Sequence, residues 1–220
     1  MQTEKKHTVI TGGTGSLGSA FAKALQAPDW QIEAPGKSEL DVCNPDSISR
    51  YFENRGIDLL ICAAGITRDS PLLAVSETTW DEVWNVNFKG AAACASAVLA
   101  GMRSRKRGHI IFIGSYSAIH PPVGQVAYAA AKAALLGLVA DLASQHGASN
   151  IRINGILPGF LQTRMTENVS QQRKNEILAA HTLGRLNTCE DAAAFVRFLH
   201  FQMPNTSGQI FQLDNRVNIP

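Results

Sequence analysis

Short apolar runs alternate along the chain with longer segments in which apolar residues recur every three or four positions. The short, β-branched runs predict strands at residues 7–11, 31–34, 59–62, 109–113, 152–157 and 209–213. The longer segments predict helices at residues 17–25, 45–52, 76–102, 126–145 and 191–201. This alternation implies parallel strands joined by right-handed helical crossovers. We therefore expect an α/β fold in one domain, residues 1–220, with a doubly wound parallel sheet and helices on both faces.

Composition is that of an ordinary soluble protein. Hydrophobic residues make up 45% and charged residues 17% of the chain, and 20 basic against 18 acidic residues leave a net charge of +2. So small a net charge offers no strong field for nucleic acid, and no nucleic-acid partner is expected. The longest low-polarity run, residues 90–102, is shorter than the roughly 20 residues that span a bilayer, so no membrane partner is expected either.

The cysteines and the start of the chain bear on location. Cys43, Cys62, Cys94 and Cys189 stand singly, without a C-x-x-C pair or metal-finger spacing, so no metal site is expected. Residues 1–7 are polar and lead directly into a strand, which leaves no room for the apolar core of a signal peptide. Both features favour a reducing, cytoplasmic location.

A glycine-rich segment follows the first predicted strand. Residues 13–18 form a G-x-G-x-x-G pattern between that strand and the first helix. Glycines let the backbone approach a pyrophosphate, while the helix N-terminus offers unpaired N–H groups and the positive end of its dipole. The segment predicts nucleotide binding; an ordinary tight turn is the alternative.

Tyr128 and Lys132 are four residues apart and therefore share one face of a predicted helix. A phenol with its ordinary pKa of about 10 is a poor acid–base group at neutral pH. An ammonium about 4 Å away, at an effective dielectric constant of about 20, would contribute up to ~4 kcal/mol, or roughly three pKa units. Lys132 is thus expected to lower the pKa of Tyr128. Ser115 follows the strand at 109–113, and a Pro/Gly-rich connection lets its hydroxyl meet the phenol.

In order and spacing, the glycine turn, Ser115 and the Tyr128/Lys132 pair resemble the short-chain dehydrogenase/reductase family over nearly the whole chain. Ala64-Gly65, Asn87 and Pro158-Gly159 also match the family in order. The resemblance implies a Rossmann-like fold and an NAD(P)-dependent oxidoreductase. It implies that Asn87 holds a proton-relay water and Ser115 binds the substrate oxygen. It further implies that Tyr128 donates the proton, while Lys132 tunes Tyr128 and binds the nicotinamide ribose.

The resemblance also implies a set of cofactor contacts along the carboxyl edge of the sheet. These residues are Gly12, Thr14, Gly15, Ser16, Leu17, Gly18, Lys37, Ser38, Asp41, Val42, Ala63, Ala64, Gly65, Tyr128, Lys132, Pro158, Gly159 and Thr163. Asp41 resembles the family's acidic residue that meets the adenine amino group; a loop cap is the alternative role.

The adenine side of the predicted site is short. Between the strand at 31–34 and Asp41 there is too little chain for the family's usual second helix and third strand. An acidic residue ending the second strand would bind the ribose hydroxyl of NAD and repel a 2′-phosphate. Here Lys37 and Ser38 follow the strand instead, which favours NADP(H). NAD(H) remains possible, because Glu33 would be the acidic residue at the strand end, and would favour NAD, if the strand ends before residue 34.

Three further positions depart from the family. Ser16 replaces the usual middle glycine, Cys62-Ala63 replaces the common paired asparagines, and Asp214-Asn215-Arg216 replaces Asp-Gly-Gly near the C-terminus. We expect cofactor binding to survive the first change. Residues 159–183 form the least regular stretch, which would be either a mobile lid over a substrate or an ordinary surface excursion.

The substrate class is suggested by residues 64–69 and 183–186, which resemble the 3-oxoacyl-thioester reductases of the family, acting on acyl carrier protein or coenzyme A. The basic run Arg103, Arg105, Lys106 and Arg107 would dock an acidic carrier, although a solvated helix end is the favoured interpretation. The leading hypothesis is an NADPH-dependent reductase of a 3-oxoacyl thioester or similar ketone. Alternatives are an NAD-dependent alcohol dehydrogenase with the same four residues, and a nucleotide-sensing protein without turnover.

A homo-oligomer, tetramer or dimer, is expected through the helices at 76–102 and 126–145. The family resemblance supplies the tetramer. Alanines crowd the first of these helices more than one core-facing stripe requires, so some would face another subunit. The alternative is a monomer in which the alanines only permit close packing of helix on sheet.

Overall fold

Residues 5–217 are described by the structure, a computed structural model, and they contain a parallel sheet of six strands. The strands are β1 (Lys6–Thr11), β2 (Trp30–Glu33), β3 (Ile57–Cys62), β4 (Gly108–Ile113), β5 (Ile151–Leu157) and β6 (Ile210–Gln212). β3 and β4 are buried along their whole length, as expected for central strands covered on both faces. The predicted doubly wound sheet is confirmed.

The strand order is β2-β1-β3-β4-β5-β6. The chain passes from β1 to β2 on one side and returns to place β3 on the other side of β1. This reversal opens a crevice at the carboxyl ends of β1 and β3, which is where such sheets bind ligands.

The described part of the chain contains seven α-helices: α1 (Ser16–Ala24), α2 (Pro45–Phe52), α3 (Glu77–Trp84), α4 (Gly90–Arg105), α5 (Val126–His146), α6 (Gln171–Ala179) and α7 (Cys189–Gln202). Each face of the sheet has its own apolar core. Phe52, Val98 and Leu135 pack on one face, and Phe21 and Leu199 pack on the other. Helices therefore lie on both faces, as predicted.

Two segments differ from the sequence prediction. The helix expected at 76–102 is divided by a π-helical segment, Asn85–Lys89, between α3 and α4. The stretch 159–183, predicted to be irregular, contains α6 and a short 3₁₀ helix, Arg164–Thr166. Residues 34–44 hold neither helix nor strand, so the predicted shortening before the Asp41 loop is confirmed.

Helix α5 is long and apolar. By length and composition alone, the segment Val126–Ser149 would be able to cross a membrane. Its buried residues, which include Ala131, Leu135 and Val139, face into the molecule, and Leu135 and Val139 join the core on the α4 side of the sheet. The helix thereby carries Tyr128 and Lys132 to the carboxyl edge of β4.

Candidate active site

The four predicted catalytic residues come from three elements and form two neighbouring pairs, Asn87 with Lys132 beside Gly65, and Ser115 with Tyr128. Lys132, 3% exposed, donates from Nζ to the carbonyl oxygen of Ile113, the last residue of β4, at 2.8 Å. A Cβ atom at Gly65 would lie 2.8 Å from Asn87 Oδ1 and 3.6 Å from Lys132 Nζ. The Ser115 hydroxyl forms a hydrogen bond with the Tyr128 phenol. The structure thus brings Asn87, Ser115, Tyr128 and Lys132 together.

Asn87 lies in the π-helical segment and is fully buried. Its Nδ2 donates to the carbonyl oxygens of Ile66 and Val83, at 2.8 and 2.9 Å. Its Oδ1 has no hydrogen-bond partner among the described residues. A buried acceptor without a partner costs free energy comparable to a lost hydrogen bond, so such groups commonly serve a ligand or ordered water.

Proton affinity in the site differs from the sequence expectation. The pKa of Tyr128 is raised, because burial of the phenol and the charge of Asp69 outweigh the hydrogen bond with Ser115, which lowers it. Burial also lowers the pKa of Lys132 to about 8. The expected lowering of the Tyr128 pKa by Lys132 is therefore wrong for this structure. The ammonium lies 5.7 Å from the phenol ring centre and is bound to the Ile113 carbonyl.

The glycine turn after β1 has the geometry of a phosphate cradle. Gly12 has a φ of +68°, and a Cβ there would lie 2.8 Å from the backbone of Ala64. A Cβ at Gly18 would lie 2.5 Å from the Gly12 carbonyl oxygen. α1 begins at Ser16 without a side-chain cap at Gly15 and without an acidic residue in its first turn. The first N–H groups of α1 are therefore free of a side-chain cap and would be available to an anion.

The ends of β1 and β3 are fastened to each other beside this turn. Thr11 Oγ1 accepts hydrogen bonds from the backbone N–H groups of Ala63 and Ala64, both at 3.1 Å. Cys62, which stands in place of an asparagine of the family, is buried and donates to the Ala91 carbonyl at 3.7 Å. The two alanines keep their positions at the crevice without the asparagine side chains.

On the adenine side, Lys37 and Ser38 are exposed and Val42 is buried against Gly90. Asp41 Oδ1 accepts the Cys43 N–H at 2.9 Å, and its Oδ2 lies 3.9 Å from Lys37 Nζ. The loop-cap role of Asp41 is therefore present in the structure, and one of its oxygens still faces the exposed Lys37.

Glu33 is the last residue of β2, the early strand end that would argue for NAD. Its carboxylate is bound by neighbouring side chains instead of being free. Tyr51 donates to it at 2.7 Å, Arg55 forms an ion pair with it, and His7 Nε2 lies 3.0 Å away. Burial raises the pKa of Glu33, but the Tyr51 hydrogen bond and the charges of His7 and Arg55 prevail and lower it.

The segment after β5 contains the predicted residues Gly159 and Thr163, and Thr163 lines a cavity together with Ser16, the first residue of α1. Gly159 has a φ of +86° and Thr163 caps the 3₁₀ helix through a capping box with Thr166. Thr163 and Ser16 line one cavity of about 550 Å³, together with Gln162, Arg164 and Lys174. Sequence reasoning did not single out Arg164 or Lys174 as site residues, because no motif marks them; only the fold places these cations opposite the glycine turn.

The basic run at the end of α4 lies at the other edge of the sheet. Arg105 donates to the carbonyl of Ile57 at 2.6 Å, and Arg107 donates from Nε to Asp58 at 2.7 Å. Both partners lie at the amino end of β3, away from Tyr128 and Lys132. These contacts support a structural role for the run rather than docking of a carrier at the active site.

Over nearly its whole length the chain is similar to known proteins. A family model described as enoyl-(acyl carrier protein) reductase matches residues 13–215. The chain is 34% identical to a 3-oxoacyl-[acyl-carrier-protein] reductase of Chlamydia muridarum, over 95% of this chain and 96% of the relative. It is 32% identical to the enzyme of the same name from Thermotoga maritima, over 100% of both chains. A solved structure from Beutenbergia cavernae, described as an NAD(P)-dependent gluconate 5-dehydrogenase with NADP bound at low occupancy, matches with a TM-score of 0.91. It is 25% identical, with 96% of this chain and 95% of that chain covered.

Proposed function

The chain belongs to the short-chain dehydrogenase/reductase family, and we propose that it catalyses NADPH-dependent reduction of a 3-oxoacyl thioester or similar ketone to a secondary alcohol. The observation that carries the proposal is the grouping of Asn87 and Lys132 beside Gly65 with the hydrogen-bonded Ser115 and Tyr128, whose ring centre lies 5.7 Å from Lys132 Nζ. The relatives named as 3-oxoacyl-[acyl-carrier-protein] reductases support the substrate class. The coarser activity, that of an NAD(P)-dependent oxidoreductase, follows from the family.

When bound, the nicotinamide would supply a hydride to the carbonyl carbon, so the protein must supply a proton to the carbonyl oxygen. Ser115 and Tyr128 are adjacent hydroxyl groups and together bind that oxygen. The raised pKa of Tyr128 keeps its phenol protonated at neutral pH, which is the state that a proton donor needs.

Asn87 and Lys132 complete the site. Asn87 Oδ1, buried and without a hydrogen-bond partner in residues 5–217, is the acceptor that we assign to a proton-relay water. Lys132, held by the Ile113 carbonyl, is assigned to the nicotinamide ribose. A pKa of about 8 leaves its ammonium mostly charged at neutral pH.

For the cofactor we propose NADPH. The glycine turn and the cavity lined by Ser16 and Thr163 would hold the pyrophosphate, with the cofactor running along the residues implied by the family. Lys37 and Ser38 are exposed where a 2′-phosphate would lie, and the carboxylate of Glu33 is occupied by Tyr51 and Arg55. The solved relative described with bound NADP is consistent with this choice.

The test is Tyr128→Phe, which removes the transferable proton and keeps the packing of the ring. We expect turnover to be abolished, measured as loss of NADPH absorbance with a panel of acyl thioesters, ketones and quinones. NADPH affinity, measured by fluorescence, should stay nearly unchanged. Lys132→Ala should weaken both. Full activity of Tyr128→Phe would remove the proposed acid from the mechanism, and a wild-type protein inert with the whole panel would favour the nucleotide-sensing alternative.

We also propose a cytoplasmic homo-oligomer, tetramer or dimer, formed through α4 and α5. Small side chains without charge are exposed on both helices: Ala93, Ala97 and Ala100 on α4, and Ala133 and Ala140 on α5. The cysteines of the described chain are all free thiols, which fits a reducing compartment. Light scattering at the assay concentration tests the assembly: a monomeric mass with full activity would contradict it.

A further inference from the structure

The segment Asp214-Asn215-Arg216 follows β6 and stands where the family usually has Asp-Gly-Gly. The Asp214 side chain is 1% exposed. Its carboxylate is bound by Arg216, whose Nε lies 2.7 Å from Oδ2, and by Gln212, whose Nε2 donates to Oδ1 at 2.6 Å. A buried carboxylate is tolerated when it is paired and hydrogen-bonded in this way.

This pair contacts two turns that carry functional residues. The guanidinium of Arg216 lies 3.3 Å from the centre of the Tyr116 ring, and Tyr116 is the residue after Ser115. A Cβ at Gly159 would lie only 2.6 Å from the Cβ of Asp214, so the turn after β5 rests directly on this carboxylate residue. Asp214 and Arg216 thus connect the substrate-binding turn to the cofactor-binding turn.

The same segment fastens the end of the 159–183 stretch. Asn215 accepts, at its carbonyl oxygen, the backbone N–H of Thr182 at 3.2 Å and the Thr182 hydroxyl at 2.9 Å. Its side-chain oxygen accepts the Leu183 N–H at 3.1 Å. Just before them, His181 Nε2 lies 3.9 Å from Asp214 Oδ2. The chain that carries Lys174 and lines the cavity is therefore anchored on the same three residues.

We propose that Asp214 and Arg216 are positioning residues that hold the Ser115 turn, the Gly159 turn and the end of the 159–183 stretch in one relative arrangement. The inference rests on the proposed function, since it gives these turns their substrate and cofactor roles. Arg216 acts through Tyr116 on the substrate side. Asp214 acts on the cofactor side through Gly159 and, because it binds Arg216, on the substrate side as well.

This division predicts different kinetic effects for the two residues. Arg216→Gln should lower kcat about tenfold while leaving NADPH affinity within twofold, because it releases Tyr116 and leaves Asp214 against Gly159. Asp214→Asn should lower kcat and also weaken NADPH binding about tenfold. The double variant should show less than the product of the two kcat losses, because both remove the same connection.

A matched control exists at the opposite edge of the sheet. Asp58 is 4% exposed and binds Arg107 through Nε at 2.7 Å, the same pairing and length as Asp214 with Arg216. Asp58→Asn and Arg107→Gln should lower thermal stability and leave kcat and NADPH affinity unchanged. These controls show what a loss of stability alone does to the kinetics, so any larger effect in the Asp214 and Arg216 variants comes from displacement of the Ser115 and Gly159 turns.

Arg216→Lys keeps a positive charge for Asp214 and removes the planar group that stacks on Tyr116, so it should bind NADPH normally and lose at least threefold in kcat. If Asp214→Asn does not fold, this variant carries the test. Wild-type kcat in Arg216→Lys and Arg216→Gln, or effects equal to those of the Asp58 and Arg107 controls, would overturn the proposal. A wild-type protein without turnover would refute the proposed function instead, and the effect of Asp214→Asn on NADPH affinity would still decide the role of Asp214.

Discussion

Gly65 allows a sharp test of the active-site geometry, because a single methyl group there would enter the space between two proposed catalytic groups. In Gly65→Ala the new Cβ would lie 2.8 Å from Asn87 Oδ1 and 3.6 Å from Lys132 Nζ. The second distance is an ordinary contact. The first is too short, so the Asn87 amide must retreat by about 0.6 Å to reach the 3.4 Å at which ordinary contacts begin.

Asn87 has little freedom to retreat. It is fully buried, and its Nδ2 is bound to the carbonyl oxygens of Ile66 and Val83. Each of these hydrogen bonds contributes about 1 kcal/mol, and overpacking of a dense interior typically costs 1–3 kcal/mol. We expect Gly65→Ala to lose about 1–3 kcal/mol of unfolding free energy. A shift approaching 1 Å near reacting groups costs up to about 100-fold in rate, so kcat should fall about 10- to 100-fold.

The assay is NADPH oxidation with the best substrate of the panel, together with urea unfolding. Gly147→Ala is the matched control, because a Cβ there would meet nothing within 4 Å and its backbone is already helical. That variant should keep full activity and gain about 0.4–1 kcal/mol. A Gly65→Ala protein with kcat within twofold of wild type would refute the reasoning, since either the amide moves freely or its position does not matter to the reaction.

Further predictions concern charge and pH. Burial holds the folded-state pKa of Lys132 at about 8 against an ordinary 10.5, so the unfolded chain binds the extra proton between these values. The unfolding free energy of the wild type should therefore rise between about pH 8 and pH 10.5, as measured by urea titrations. Lys132→Met should lose this rise and should be more stable than the wild type by up to about 3 kcal/mol at pH 7. The same variant should have no turnover in NADPH assays. Two buried histidines have lowered pKa values, chiefly because of burial and secondly because of the positive charge of Arg152. The pKa of His200 is about 3, and that of His109 lies well below its usual range. Below pH 6.5 the unfolded chain therefore binds more protons, so stability should fall, by about 2 kcal/mol at pH 5 for His200 alone; an unfolding curve of His200→Phe with the wild-type pH dependence would contradict this. Lys37→Glu should weaken NADPH binding much more than NADH binding, and equal effects in fluorescence titrations would show that Lys37 does not contact the 2′-phosphate.

Local sequence patterns were sufficient to predict most of the fold. Apolar periodicity located the six strands and the longer helices, because strands buried on both faces and amphipathic helices leave different repeats. The N-terminus of α2 was also predictable, since Asn44 followed by proline is a cap whose side chain accepts the N–H groups of Asp46 and Ser47. The shortened region after β2 follows from chain length alone.

Features set by tertiary contacts were not predictable in this way. The π-helical segment interrupts a pattern that looks like one long helix, because adding one residue to a turn leaves almost no trace in composition. α6 has no buried residue, so its sequence lacks the apolar stripe by which helices are recognised. The stretch 159–183 was therefore interpreted as irregular.

The pKa values of the site residues could not be predicted from the sequence either. Spacing correctly placed Tyr128 and Lys132 on one helix face, but it does not reveal how far each group is removed from water. Burial governs both pKa values: it raises that of Tyr128 and lowers that of Lys132. Likewise, nothing near Glu33 in the sequence indicates that Tyr51 and Arg55 would occupy its carboxylate.

The π-helical segment Asn85–Lys89 has a consequence for which length changes the chain can accept. A helix turns about 100° per residue, so a return of this segment to regular helix with every residue kept would rotate α4 by about that angle relative to α3. Val98 would leave the core, and the exposed Ala97 would turn toward it. The π-helical turn therefore holds one extra residue without moving α4. A single deletion at 85–89 should remove that turn and leave the packing of α4 in place, whereas a deletion inside α4 would rotate the rest of the helix out of its packing.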